Sequence, residues 1–189
     1  MFSLKEKTMV IVGGASGIGR ATAEMAAALG ASVILSSRNV EKLTSVAKQI
    51  SGDVSAIRLD MTDEASVAEW SNALPLVDYL VISASSAAHG PFAHAEMKPL
   101  RAMFDAKFFG PYLTARDAVP KIKAGGAIML FSGVLSRRPG ENCAGLGAVN
   151  GAVEALTRAM ALELGPDIRV NCMSPGRRLS TPENSMIAP

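Results

Sequence analysis

The sequence predicts an α/β protein, a doubly wound parallel sheet of about six strands with helices on both faces. Three observations predict it. Short apolar runs alternate with amphipathic stretches along the chain, as strands joined by helical crossovers do. Several runs are apolar at consecutive positions, as expected for strands covered on both faces. A glycine-rich turn, Gly13 to Gly19, closes the first run and opens the first amphipathic stretch.

The strand runs, in order, are 8–13, 32–37, 54–59, 78–84, 127–132 and 168–173. The helical stretches between them are 17–29, 40–50, 63–73, about 97–123 and about 145–165. In the first helix Ile18, Thr22, Met25 and Leu29 share a stripe, and Gly30 is a natural stop. In the last, Val149, Val153, Leu156, Met160 and Leu164 form another. Pro111 lies inside the long fourth stretch, four residues after Lys107. It lacks the N–H that the Lys107 carbonyl would accept, so a kink is expected there. The reading is one domain over 1–176 and an irregular tail over 177–189, with no strand pattern after the sixth run.

Composition narrows the function. The chain has 189 residues, 49% of them hydrophobic and 19% charged, with a net charge of +2. These values fit a globular domain and exclude a disordered chain. The balance of charge gives no footprint for nucleic acid or an anionic membrane surface. Two cysteines, Cys143 and Cys172, with two histidines, His89 and His94, make neither a disulfide framework nor a zinc pattern. A reducing cytoplasm is expected. The first seven residues, with Glu6 and no apolar run, do not read as a signal peptide. No run of about 20 apolar residues is present for a membrane span.

Gly13-Gly14-Ala15-Ser16-Gly17-Ile18-Gly19 follows a strand and precedes a helix. Glycine permits positive φ and lets backbone approach a phosphate, while the helix N-terminus offers free N–H groups and a positive dipole end. The spacing, Gly-x-x-x-Gly-x-Gly, resembles that of the short-chain dehydrogenase/reductase (SDR) family, with Val12 in place of the usual Thr. The resemblance runs along nearly the whole chain. Asp60-Met61 looks like the family's adenine-contacting pair, and Ser174-Pro175-Gly176 like its turn beside the nicotinamide. It implies a Rossmann-like domain, a nicotinamide cofactor and a small carbonyl or alcohol substrate. The implied cofactor contacts are Gly13, Ala15, Ser16, Gly17, Ile18, Gly19, Ser37, Arg38, Asn39, Asp60, Met61, Ser83, Ala84, Ser85, Pro175 and Gly176. It also implies that a homodimer can form through the helices at 97–123 and 145–165.

The second strand ends at Ser37-Arg38-Asn39, and no Asp or Glu occurs from 31 to 40. An NAD site needs a carboxylate there for the ribose 2′-OH, whereas an Arg accommodates a 2′-phosphate. NADP(H) is the expected cofactor.

The family's Asn-Ser-Tyr-Lys catalytic set is replaced. Matched residue by residue, Leu146 occupies the Tyr position, Asn150 the Lys position, Gly133 the Ser position beside Ser132, and Lys107 the Asn position. Leu146 cannot transfer a proton, and Tyr79 and Tyr112 fall in a strand and late in the long helix. Lys and Asn have exchanged places, which resembles a divergent, atypical subgroup of the family. The expectation is an NADP(H)-dependent oxidoreductase with Lys107 as proton donor or electrostatic stabiliser, Ser132 and Ser136 as its polar partners, and Asn150 beside them. Two alternatives stand beside it: a catalytically inactive NADP(H)-binding sensor or partner subunit, and a truncated fragment. His89 and His94 lie in the loop after the fourth strand, where a His is more often simply exposed than an acid or base. Cys143, near the start of the last helix, reads better as a packed residue than as a reactive thiol, and Arg137 and Arg138 are equally explained as an anion site or a solvated rim.

Overall fold

The computed structural model describes residues 3–84 and 86–176. Six parallel strands form one sheet: β1 (Thr8–Val12), β2 (Ser32–Ser37), β3 (Val54–Arg58), β4 (Val77–Ile82), β5 (Ile122–Phe131) and β6 (Arg169–Met173), in the order β3-β2-β1-β4-β5-β6. The tail at 177–189 lies outside the described residues. The helices are α1 (Gly17–Ala28), α2 (Val40–Gln49), α3 (Glu64–Ala73), α4 (Met97–Phe104), α5 (Gly110–Ala118) and α6 (Ala144–Leu164).

Consecutive apolar residues in the strands follow from two covered faces. Successive strand side chains point to opposite sides. Val10 and Val12 of β1 join Leu80, Ile128, Trp70 and Val153 in the layer beneath α3, α5 and α6. Ile11 between them joins Leu35, Ala23, Ala26 and Leu43 beneath α1 and α2. Asn39 and Asp63 start α2 and α3 by accepting the backbone N–H of Lys42 and Ala65, as helix caps do.

The long fourth stretch is not one helix. Between α4 and α5 the backbone widens over Asp105–Phe109 into a π turn, where the Gly110 N–H reaches the Asp105 carbonyl. A proline ring clashes with the carbonyl four residues before it, and a wider turn relieves that clash. Pro111 therefore opens the helix at Lys107, and helical structure resumes at Gly110. Strand β5 starts at Ile122, five residues before the expected 127, because a bulge at its start keeps it paired with β4. Gly125 supplies the bulge's left-handed φ of +81°.

Candidate active site

The order of strands reverses between β1 and β4, so their carboxyl ends diverge into a crevice. The glycine turn forms one wall. The Gly13 N–H donates to the Ser36 carbonyl at 2.8 Å, and the residue takes φ +86°. A Cβ on Gly13 would stand 2.6 Å from the Ala84 nitrogen, and one on Gly19 only 2.4 Å from the Gly13 carbonyl oxygen and 2.5 Å from Ser83 Oγ. Hydrogen side chains thus seat α1 against the strand ends. Gly17, at φ +55°, has open space where its Cβ would point. Ser16 precedes α1 without capping it, and the first turn carries no acidic residue. The N–H groups of the helix end therefore remain available to an anion. Ser83 is held by two bonds to the Val12 carbonyl, from its N–H and its hydroxyl. Ala15 packs on the α1-side core, Ile18 is exposed, and Ser85 lies outside the described residues.

A cavity of about 210 Å³ continues the crevice, lined by Ser37, Arg38, Asp60, Met61 and Ala84 together with Val12. Arg38 is exposed at the end of β2 and makes no ion pair among the described residues. Asn39 spends its side-chain oxygen on capping α2, at 2.8 Å from the Lys42 nitrogen. Burial pushes the Asp60 carboxyl up, but the Thr62 hydroxyl and amide, helped by Arg38 and Arg58, hold it below the usual range. At the other end of the crevice, the Pro175 carbonyl accepts the Val134 N–H at 3.1 Å. Gly176 follows it at the surface.

Lys107 is only 7% exposed. Its Nζ donates to the carbonyl oxygens of Ser132 at 3.2 Å and Phe131 at 3.4 Å. Burial drives its pKa below the ordinary lysine value, and the field of Cys172 opposes this only weakly. The expected hydroxyl partners lie elsewhere. Lys107 meets Ser132 through the backbone, while the hydroxyls of Ser132 and Ser136 reach Glu154 Oε1 at 2.9 and 2.6 Å.

Glu154 is the residue that the sequence reading missed. Its Oε1 also accepts from the Ser174 hydroxyl at 2.9 Å, and Arg137 lies 3.5 Å from Oε2. The Ser136 bond is the largest stabilising influence. Burial opposes it, but the Ser174 and Ser132 hydroxyls and Arg137 add to it, and the carboxyl is held down at about 2. One anion thus joins α6 to the ends of β5 and β6. Its signal was a carboxylate four residues after Asn150, on the helix face that carries Asn150 and Val153.

Asn150 is 2% exposed, and its Oδ1 is buried without a hydrogen-bond partner among the described residues. A Cβ on Gly133 would lie 2.9 Å from Asn150 Nδ2. The absent side chain at 133 is therefore what makes room for the amide at 150. These two departures from the family pattern are one packing solution. The half-buried Leu146 stands one turn before Asn150. His94 is exposed in a short helical turn, Phe92–His94. Among the described residues no group of three metal-binding side chains occurs, and no helix is long and apolar enough to cross a membrane.

Comparison with known proteins bears on the family and the fold. A family model described as short chain dehydrogenase matches residues 7–187. An uncharacterized oxidoreductase of Bacillus subtilis is 32% identical over 189 residues, covering 93% of this chain and 68% of that one. The trans-4-hydroxycyclohexanecarboxylate dehydrogenase of Sinomonas cyclohexanicum is 30% identical over 186 residues, covering 90% and 72%. Among solved structures, a short-chain type dehydrogenase/reductase from Mycobacterium ulcerans superposes with a TM-score of 0.87 at 26% identity, covering 92% and 68%.

Proposed function

The chain belongs to the short-chain dehydrogenase family, oxidoreductases of alcohols and carbonyls, and on that premise we propose that it is NADP(H)-dependent with Lys107 as its proton donor. The observation that carries the cofactor reading is Arg38. It stands at the end of β2, lines the crevice cavity, and has no carboxylate on its own strand. A guanidinium there favours a 2′-phosphate. The glycine cradle and the uncapped start of α1 suit a pyrophosphate. When bound, the nicotinamide supplies or accepts the hydride.

The remaining chemistry is a proton at the substrate oxygen. Lys107 suits it because burial loosens its hold on a proton, and a donor works best when its pKa nears the working pH. The orphaned Oδ1 of Asn150 suits a hydroxyl or water that must be oriented. Ser132 and Ser136 act through Glu154 as positioning residues. The relative named for trans-4-hydroxycyclohexanecarboxylate supports a small carbonyl or alcohol substrate.

A second reading, an NADP(H)-binding protein without turnover, is favoured by Leu146 and Gly133 at the positions matched to Tyr and Ser. Titration of the purified chain with NADPH and NADH tests the first part: NADPH binds more tightly, and equal affinities overturn the assignment. NADPH oxidation with cyclic ketones then separates the two readings, since only an enzyme turns over. We also place the protein in a reducing cytoplasm, where Cys143 and Cys172 are free thiols. A homodimer over the outer faces of α5 and α6 would cover the exposed Tyr112 and Leu162. Sedimentation velocity decides it.

A further inference from the structure

We propose that Cys143 is a nucleophilic thiol, activated by His89, that captures α,β-unsaturated carbonyl compounds by conjugate addition at the rim of the crevice. The inference stands on its own geometry and does not need the cofactor or Lys107 assignments. His89 belongs to the loop after β4, and Cys143 is the residue before α6, yet Cys143 Sγ lies 3.4 Å from His89 Nδ1. The backbone builds this pair. The Gly90 N–H donates to the Asn142 carbonyl at 2.9 Å, tying the loop to the residue before the cysteine. Asn142 takes a left-handed φ of +58°, a conformation that Asn tolerates, and this turns the chain into α6.

The surroundings suit a nucleophile. Cys143 is half-buried and its imidazole partner is exposed, so the sulfur is reachable while its base faces water. The 21-residue α6 begins at the next residue, so the sulfur stands at a helix N-terminus. Three residues on, in the first turn of α6, lies Leu146, the position matched to the family's tyrosine. His89 and Asn142 also line a cavity of about 680 Å³ whose other walls include Phe92, Met97, Leu100 and Phe104. That cavity offers an apolar seat for the substituent of an enone.

The step balances without an oxidant. His89 Nδ1 takes the thiol proton as sulfur attacks the β-carbon, and a C–S bond forms. The C=C π pair moves toward the carbonyl as an enolate, and the imidazolium returns its proton to the α-carbon. The net change is addition of S–H across the double bond, with Cys143 activated by an adjacent base as in other Cys–His pairs.

Cys172 is an internal control, since the chain has only two cysteines and burial pushes the Cys172 thiol up. The probe is methyl vinyl ketone at pH 7, with adducts on the full chain located by peptide mass mapping. Cys143 is expected to react at least tenfold faster than both Cys172 and free glutathione. His89→Gln is expected to bring Cys143 down to the glutathione rate while the thermal melt and the Cys172 rate stay unchanged. A wild-type Cys143 rate less than tenfold above that of glutathione overturns the proposal, whatever the variant does. So does a His89→Gln rate equal to that of wild type.

Discussion

The ammonium of Lys107 lies 3.2 Å from the carbonyl oxygen of Ser132, so the π turn between α4 and α5 grips the end of β5 through backbone, leaving the Ser132 hydroxyl for Glu154. A buried cation held only by carbonyl dipoles is under-compensated, and its pKa falls. Lys107→Met should then separate chemistry from stability. Turnover should fall about 100-fold or more, the usual scale for a positioned acid, with NADPH affinity within a few-fold. The melting temperature should be no lower than wild type, since removing a poorly paired buried charge is often neutral or stabilising. The sign with pH follows. Between the folded value and 10.5 the unfolded chain binds more protons, so wild-type stability rises with pH across that window. The variant lacks this rise, which melts at pH 7 and 9.5 would reveal.

The legible parts of the sequence were those set by local chemistry. Apolar runs placed all six strands, and the glycines marked the turn: a side chain at Gly13 or Gly19 would strike its neighbours, and Gly17 takes a left-handed φ. The site's polar wiring was not legible, because it depends on where strand ends meet a helix. Glu154 is 22 residues from Ser132, 18 from Ser136 and 20 from Ser174. No periodicity links such positions. The relation of Gly133 to Asn150 was hidden similarly: a missing side chain is not a signal until its neighbour is seen.

Arg38→Glu tests the cofactor assignment by reversing a charge at the end of β2. A carboxylate would repel a 2′-phosphate and accept from a ribose hydroxyl. Fluorescence titration should show NADPH weakened by about tenfold or more, equivalent to roughly 1.4 kcal/mol. NADH should become the tighter ligand. An unchanged preference would remove Arg38 from the site.

Gly19→Ala tests the cradle. The added methyl would sit 2.4 Å from the Gly13 carbonyl oxygen, a backbone atom that cannot rotate away. Either α1 lifts from the strand ends or the turn deforms, at a cost of about 1–3 kcal/mol. Binding of both NADPH and NADH should be lost together, because the pyrophosphate seat is common to them. Selective loss of one would contradict the cradle reading.

Asp78 marks the far end of the sheet. Its carboxylate accepts from Lys7 Nζ, Lys123 Nζ and the Thr8 N–H, each at 3.0 Å, tying the feet of β1, β4 and β5. Asp78→Ala leaves two ammonium groups and an amide without their shared acceptor. Thermal melts should show a loss of about 2 kcal/mol, typical for stranding polar groups. NADPH affinity should not change, since the binding crevice lies at the opposite strand ends.

Glu154→Gln tests whether one anion holds the strand ends together. Its folded pKa, about 2, is depressed from 4.5, so the unfolded chain binds the proton more readily. The stabilisation is therefore complete above about pH 4.5 and is lost as pH falls toward 2. With its side chain 13% exposed, the shift corresponds to about 3 kcal/mol at neutral pH, or a drop of roughly 6–12 °C in melting temperature. The amide of Gln keeps the shape and one acceptor but loses the charge that strengthens three hydroxyl contacts. Melts at pH 7 should therefore separate the variant from wild type, and melts near pH 3 should bring them together. A gap that persists unchanged at pH 3 would mean that Glu154 acts by packing rather than by charge.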